Sequence, residues 1–521
     1  MDLRPWGKTP PGSRTIRPEV RAPSDVGRLI EAAGGLGRAP LVVLANREPY
    51  VHERAGDGSI TVRRPPGGLV TGIEPLLRAC GGTWIAHGSG SADVETAAPD
   101  GTVAVPPGKP SYTLQRIFLS DREVDRYYSG FANEALWPLC HRAHVRPIFR
   151  YEDWSAYRDV NRRFADAAVA AGPDSPILVQ DYHFALVPQR IRERNSAAVV
   201  GLFWHIPWPE PEMFGICPWS RNLIEGLLGS DVIGFHTDDD GRCFLESASR
   251  LLGREVDWEE RAVMHRGYRT LVRTYPISVE WPFPAAGRDE GVRLRRELGI
   301  DADIHVSVAV DRADYTKGLV ERVLAVETLL DGAPHLARRY VLVQLAAPSR
   351  QRIGRYRHVM QELRDEVARV NQRFERGSWQ PIVLRDQGAS PAEVRRYYAM
   401  ADSALVTPLH DGMNLVAKEY VASCTDDRGT LVLSRFAGAA RELRDALIVN
   451  PYDVRDVAAA ILRAVEMPVP ERTLRMRSLR SAVARNTIYD WSANLLTDLR
   501  RVRTARAGRK EDHELLHARG A

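Results

Sequence analysis

The chain has 521 residues, 44% apolar and 27% charged, enough for two domains with full-sized cores and characteristic of a soluble globular protein. A net charge of +5, small against 72 basic and 67 acidic side chains, argues against nucleic acid or a membrane surface as a bulk partner. The cysteines (Cys80, Cys140, Cys217, Cys243, Cys424) are odd in number and hold no CxxC pair, so they read as reduced thiols of a cytoplasmic protein, with neither a disulfide framework nor a metal site.

Residues 1–38 read as a flexible leader, punctuated by Pro5, Pro10, Pro11, Pro18 and Pro23 and without apolar periodicity. It carries no apolar core of a signal peptide, and no later run approaches membrane-spanning length. Short β-rich apolar runs then alternate with helical stretches. In the first half they fall at 41–45, 177–179, 198–204 and 232–235. In the second half they fall at 305–310, 340–345, 404–406, 431–433 and 447–449. Continuous apolar strands alternating with helices predict buried parallel sheets, hence an α/β chain of two Rossmann-like domains facing across a cleft. Three prolines, Pro276, Pro282 and Pro284, place the division: one domain over 39–280, the second over 281–485. Residues 486–521 read as a C-terminal helix, able to cross back to the first domain, with a basic tail around Arg500, Arg501, Arg503, Arg506, Arg509 and Lys510.

Polar clusters stand where those strands end, the place at which open parallel sheets bind ligands. They are Asn46-Arg47, Asp181-Tyr182-His183, His205 through Pro209, and the run Asp311 through Gly318. The glycine pair Gly67-Gly68 follows a hairpin-like stretch. Arg312 and Lys317 are the kind of pair that neutralises a diphosphate, one by a planar fork and the other as a movable point charge. The segment Thr407 to Tyr420 breaks a strand on a Pro/Gly/Asn turn and restarts as a helix, which leaves free N–H groups and a positive dipole end for a phosphate. Asp411 before the turn could hold a sugar hydroxyl and Glu419 further along a ribose diol, so the segment suggests a nucleotide-sugar. No metal-binding Asp-x-Asp stands at a strand end, and Asp238–Asp240 reads as a solvated helix start.

Taken together, these motifs resemble the trehalose-6-phosphate synthase family, retaining glycosyltransferases of the two-Rossmann GT-B type. The resemblance spans about residues 40 to 500 and is carried by DGMNLVAKEY (411–420), FAGAARELRDALIVNPYD (436–453), YYSGFANEALWP (127–138) and DYTKG (314–318). It implies transfer of glucose from UDP-glucose or GDP-glucose to glucose-6-phosphate, giving α,α-trehalose 6-phosphate. No cofactor or metal is expected, since the nucleotide-sugar is itself a substrate; oligomeric state stays open.

By the same resemblance, Gly67 and Gly68 match the loop over the donor, and Arg312 and Lys317 the diphosphate ligands. Met413, Asn414, Leu415, Val416, Ala417, Lys418 and Glu419 match the segment that holds the nucleoside and phosphates. His205 and Asp411 match the positions on the transferred glucose. Arg47, Tyr128, Asp181 and Arg350 match the glucose-6-phosphate contacts, and Trp137 and Ile206 the positions that choose the acceptor anomer. The implied mechanism has no protein nucleophile. The acceptor hydroxyl attacks from the face the leaving group departs, and a donor phosphate oxygen takes its proton.

The chain departs from the family pattern at several places. The loop Gly82 through His87 ends in histidine where a second tryptophan is usual, Trp204 and Trp208 replace smaller apolar residues, and His410 replaces an arginine. Arg385 and Asp386 stand in the segment that borders the nucleobase. A carboxylate there can accept two hydrogen bonds from guanine, which favours GDP-glucose. If both side chains face solvent instead, backbone groups read the base and UDP-glucose is preferred. The opening Asn46 through Tyr50 also resembles the glucosylglycerol-phosphate synthases, which lack the paired glycines. Rival readings are a sister enzyme acting on glycerol-3-phosphate or an amino-cyclitol phosphate, and a non-catalytic sugar-phosphate sensor.

Overall fold

The structure is a computed structural model that describes Gly27, residues 40–65 and residues 68–519; the side chains of 68–69, 79–80 and 507–519 are outside that description. The leader expected over 1–38 and the glycine Gly67 therefore lie outside the described residues, Gly27 apart.

Two β-sheets organise the chain. The first has ten strands, with seven parallel ones at its centre: Tyr268–Thr274, Val232–Phe235, Val200–Phe203, Ile177–Gln180, Leu41–Leu44, Gly82–His87 and Tyr112–Ile117. Thr102–Val105 adds an antiparallel edge on one side, and Ala262–His265 and Val256–Asp257 on the other. The second sheet is wholly parallel, in the order Ile382–Arg385, Tyr340–Ala347, His305–Arg312, Ser403–Val406, Thr430–Ser434, Leu447–Val449. This is the doubly wound order, in which the chain moves outward from its first strand in one direction and then in the other. The architecture is GT-B: two Rossmann-like units facing each other.

Both sheets have a switch point where neighbouring strands run off to opposite sides, and loops there diverge to leave a crevice. In the first sheet it lies between Leu41–Leu44 and Ile177–Gln180, which lead into Arg47 and Asp181. In the second it lies between His305–Arg312 and Ser403–Val406, which lead into Lys317 and Asp411.

The segment Gly82–His87, read from sequence as a loop, is a central strand with Trp84 and Ile85 fully buried. Only Trp84, Ile85 and Ala86 in it are buried, and Gly82, Thr83 and His87 around them break the apolar run that marks the other central strands. Ile382–Arg385 was likewise not anticipated as a strand; it lies at the sheet edge and ends in an exposed arginine. Asp238–Asp240 does start a helix, but Asp240 is buried and accepts from the Thr237 hydroxyl and the Trp208 amide.

The final helix, Ile488–Arg519, packs on the first domain and carries the backbone beyond the expected tail. Its Trp491, Leu495, Leu496 and Leu499 belong to one apolar core that continues from a face of the first sheet into the second domain. Gly201 sits in the strand beneath it, where any added Cβ would meet Leu499 at 3.0 Å. Ser492 donates to the Gly72 carbonyl at 2.8 Å, and Tyr275 to Asp498 at 2.6 Å. Among the described residues no helix is long and apolar enough to cross a membrane, and Cys140, Cys217, Cys243 and Cys424 are free and buried.

Because Trp491 is fully buried where the returning helix meets the first sheet, Trp491→Ala should destabilise the protein by about 3–5 kcal/mol. Denaturant unfolding checks this, and an unchanged midpoint would mean that the helix does not weld the two domains.

Candidate active site

A cavity of about 540 Å³ opens between the two switch points. From the first domain it is lined by Arg47, Tyr128, Trp137, Asp181 and His205, and from the second by Arg312, Lys317, Arg350, Asp411, Met413, Asn414, Leu415, Val416 and Glu419. Residues scattered over more than 370 positions of sequence thus share one chamber, because most of them follow a strand end or lie in the first turns of the helix after one.

Arg350 joins the two halves. Its guanidinium lies 3.9 Å from the centre of the Trp137 ring and donates to Tyr182 (3.3 Å) of the first domain, and to Asp314 (3.3 Å) and Tyr356 (2.5 Å) of its own. The backbone at Arg350 is left-handed, φ 46°. Tyr128 reaches the cavity from a helix, Val124–Leu136, wound wider than an α-helix, and Trp137 from the residue that ends it, whose amide bonds back five residues to Ala132. Such wide turns rotate side chains out of the ordinary helical register and are frequent at functional sites.

Positive charge dominates this end. Burial alone would push the Tyr128 phenol up, yet Arg350, Arg47 and Arg312 outweigh burial and bring it down to about 8. Burial and the neighbouring Arg350 and Arg47 also hold Arg312 below the ordinary arginine range. Neither Arg47 nor Arg312 has a carboxylate partner among the described residues. Asp181 is raised by burial to about 6, although the amides of Tyr182 and His205 bond its carboxylate at 2.8 and 3.2 Å.

On the facing side Lys317 pairs with Asp411 at 2.5 Å, and Asn414 donates to the same carboxylate at 3.0 Å. Burial would raise Asp411, but Lys317 outweighs it and keeps the carboxyl below its usual range. Asn414 has φ 72° and makes no side-chain cap, so the first-turn amides of the helix Leu415–Ser423 are not capped by it. An uncapped helix start lining a cavity is an anion site. Gly412 makes the approach of the domains possible there, since a Cβ would stand 2.6 Å from the His205 carbonyl oxygen. His205 itself bonds Gln180 at 2.9 Å, and burial with His236 nearby keeps its imidazole well below the usual pKa and so uncharged. Glu419, raised by burial, accepts from Tyr398 at 2.9 Å.

Three expected residues lie elsewhere. Lys418 points away from the cavity, donating to the Ile277 carbonyl (2.8 Å) and Glu442 (2.6 Å), because alternate helix positions face the hinge rather than the cleft. Ala417 is buried in the same helix, and Ile206 is buried in the core of the first domain. Gly68 starts the helix Gly68–Cys80. The guanine reading of Asp386 is not supported by its placement: Arg364, on the helix Gly354–Phe374, pairs with it at 2.6 Å, and Arg385 is exposed. Among the departures, Trp204 and Trp208 are fully buried packing residues, and His87 bonds the Ile117 carbonyl at a strand end. His410 accepts from Arg142 across the cleft (3.0 Å) and bonds the Phe436 carbonyl.

Sequence reasoning missed His236, Gln180 and Asp314, all of which serve this site. The rule of polar residues at strand ends would have found the first two. Asp314 lay inside a quoted motif with no role, and Tyr356 follows no strand and carried no signal.

The glycosyltransferase family 20 profile matches residues 39–501. A trehalose-6-phosphate synthase of Mycobacterium marinum is 39% identical over 477 residues, 89% of this chain and 94% of the relative. A UDP-forming α,α-trehalose-phosphate synthase from Burkholderia xenovorans, solved in complex with glucose-6-phosphate, superimposes with a TM-score of 0.78 at 33% identity, covering 88% of this chain and 99% of the other. A structure from E. coli bound with UDP-2-fluoro glucose gives a TM-score of 0.78 at 33% identity over 89% and 99% of the two chains. The chain therefore belongs to glycosyltransferase family 20, the trehalose-6-phosphate synthase family, and is a glycosyltransferase.

Proposed function

We propose that the cleft transfers glucose from UDP-glucose to glucose-6-phosphate with retention, forming α,α-trehalose 6-phosphate. The observation that carries this reading is that Arg47 on one side of the chamber and Arg312 on the other have no carboxylate partner among the described residues, while Lys317 and Arg350 stand beside them. Arg312, Lys317 and the uncapped helix start after Asn414 face the donor side, while Arg47 and Arg350 face the acceptor side. Two anionic substrates, one a diphosphate and the other a phosphomonoester, would answer those cations.

The groups divide the work as follows. Arg312 and Lys317 stabilise charge that develops on the leaving diphosphate, and Lys317 is already oriented by Asp411. Glu419, held by Tyr398, accepts from the ribose diol. Asp411 and the uncharged imidazole of His205 hold hydroxyls of the transferred glucose without adding a cation beside an oxocarbenium-like transition state. Asp181 and Tyr128 orient the acceptor, and the phosphate on Arg47 and Arg350 anchors it at a point remote from the reacting hydroxyl. The departing phosphate oxygen takes the proton from that hydroxyl. The reading of uridine rather than guanosine is supported by Asp386, whose carboxylate already pairs with Arg364.

Lys317→Ala should lower turnover by roughly a hundredfold or more, with the fold retained, as read by product mass and circular dichroism. Near-normal activity in that variant would remove Lys317 from the donor site.

Arg350→Ala should raise the apparent KM for glucose-6-phosphate far more than that for UDP-glucose. Unphosphorylated glucose should be a poor acceptor for the wild type and lose little further in the variant. Equal use of glucose and glucose-6-phosphate by the wild type would defeat the phosphate-anchor argument.

With UDP-glucose and GDP-glucose supplied at equal concentration, UDP should be the dominant released nucleotide, and Asp386→Asn should leave the ratio unchanged. A swing of the ratio in that variant would return Asp386 to the base pocket.

A further inference from the structure

On the far side of the second domain from the cleft lies another cavity, of about 690 Å³. Its walls are one face of the helix Arg288–Glu297, the turn that leads into the strand Ser403–Val406, and the turn that leads into Thr430–Ser434. The strand ends here are the opposite ones from those at the active site.

The chemistry of the lining is mixed in a definite way. Arg288, Arg296 and Arg428 are exposed along it. Arg428 lies 3.8 Å from Asp426, and no ion pair engages Arg288 or Arg296 among the described residues. Arg295 is committed elsewhere, to Asp402 and the Met400 and Ile304 carbonyls. Against the cations stand Asp301 and the C-terminal ends of two helices, Pro391–Met400 and Leu415–Ser423, which present the negative end of their dipoles. Ser423 lines the cavity with a buried hydroxyl that has no partner among the described residues. A bare anion is poorly served by helix C-termini, and a neutral polyol leaves the guanidiniums unused. A molecule bearing a phosphate at one end and hydroxyl donors along the rest satisfies both.

The same two helices begin at the donor end of the active site, where Pro391, Val394, Leu415 and Glu419 line the chamber or its extension. Tyr398 joins the two places. It lies on the wall of the remote cavity, and its hydroxyl donates to Glu419 at 2.9 Å.

We propose that this cavity is an effector site for a polyhydroxylated phosphomonoester, its phosphate held by Arg288, Arg296 and Arg428, and that its occupancy changes donor affinity through Tyr398 and Glu419. The coupling half rests on the reading of Glu419 as a donor ligand; the binding half does not. By linkage, donor and effector must alter each other's affinity by the same factor.

The test uses binding alone, so it stands whether or not the transfer reaction is as proposed. Ribose 5-phosphate is titrated calorimetrically into the full chain, into Arg350→Ala, and into the Arg288→Ala/Arg296→Ala double variant. Binding should persist in Arg350→Ala, whose acceptor site is disabled, and be lost in the double variant, which should keep its full activity because both side chains are exposed and remote from the cleft. Inorganic phosphate should bind about tenfold more weakly than ribose 5-phosphate. Saturating ribose 5-phosphate should shift the affinity for UDP about fivefold in the wild type. That shift should vanish in the double variant and in Tyr398→Phe, although Tyr398→Phe still binds ribose 5-phosphate. Loss of ribose 5-phosphate binding in Arg350→Ala with retention in the double variant would overturn the site. Equal binding of inorganic phosphate would overturn the polyol assignment. An unshifted UDP affinity in the wild type, with ribose 5-phosphate bound, would overturn the coupling.

Discussion

Arg350 rests on the Trp137 ring at 3.9 Å while its hydrogen bonds reach Tyr182 on one domain and Asp314 and Tyr356 on the other. A buried guanidinium needs its donors satisfied and its charge answered. Here the ring and Tyr182 are supplied by the first domain and the carboxylate by the second, so the cation is comfortable only when the two sheets stand as close as they do. The rest of the cleft depends on that spacing. It brings Arg350 and Arg312 of the second domain near enough that, with Arg47, they outweigh burial and lower the Tyr128 phenol to about 8, and it leaves Arg47 and Arg312 without carboxylate partners among the described residues.

Other contacts hold the same spacing by different physics. Gly412 lets backbone meet backbone at His205, and Lys418 reaches from the donor helix to the hinge carbonyl of Ile277. Asn486 donates to the Pro276 carbonyl and to Glu442, which also receives Lys418. The returning helix then covers the first sheet with Trp491 and its neighbours, burying apolar area that neither domain could cover alone. Exposed pairs at the rim, such as Arg352 with Asp121 and Asp125, are screened by solvent and contribute little beside this.

The departures from the family pattern sort by burial. Trp208 packs with Phe214, Phe235 and Phe244, and Trp204 packs between Trp208 and the chamber residue Tyr182 without lining the chamber itself. His410 makes a hydrogen bond across the cleft: its ring accepts from Arg142, which also forks onto Glu210. These replacements lie in the packing and the rim around the chamber.

The strands with continuous apolar runs were legible because a strand buried on both faces has no polar alternation to hide it, and the polar residues just after them were legible as lining a cleft because open parallel sheets leave a crevice at those strand ends. Arg47, Asp181, His205, Arg312 and Asp411 all followed from that rule or from the motifs beside them. Gly82–His87 was missed because only Trp84 and Ile85 in it are large apolar residues, set between Gly82, Thr83, Ala86 and His87. What only tertiary structure decided was orientation and partnership. Lys418 and Glu419 are neighbours in sequence, yet the helix turns one toward the hinge and the other toward the chamber. Asp386 resembled a base-reading carboxylate until a distant helix supplied Arg364. Sequence spacing determines which face of an element a residue occupies, but whether a charge is free to meet a ligand depends on what else has been folded against it.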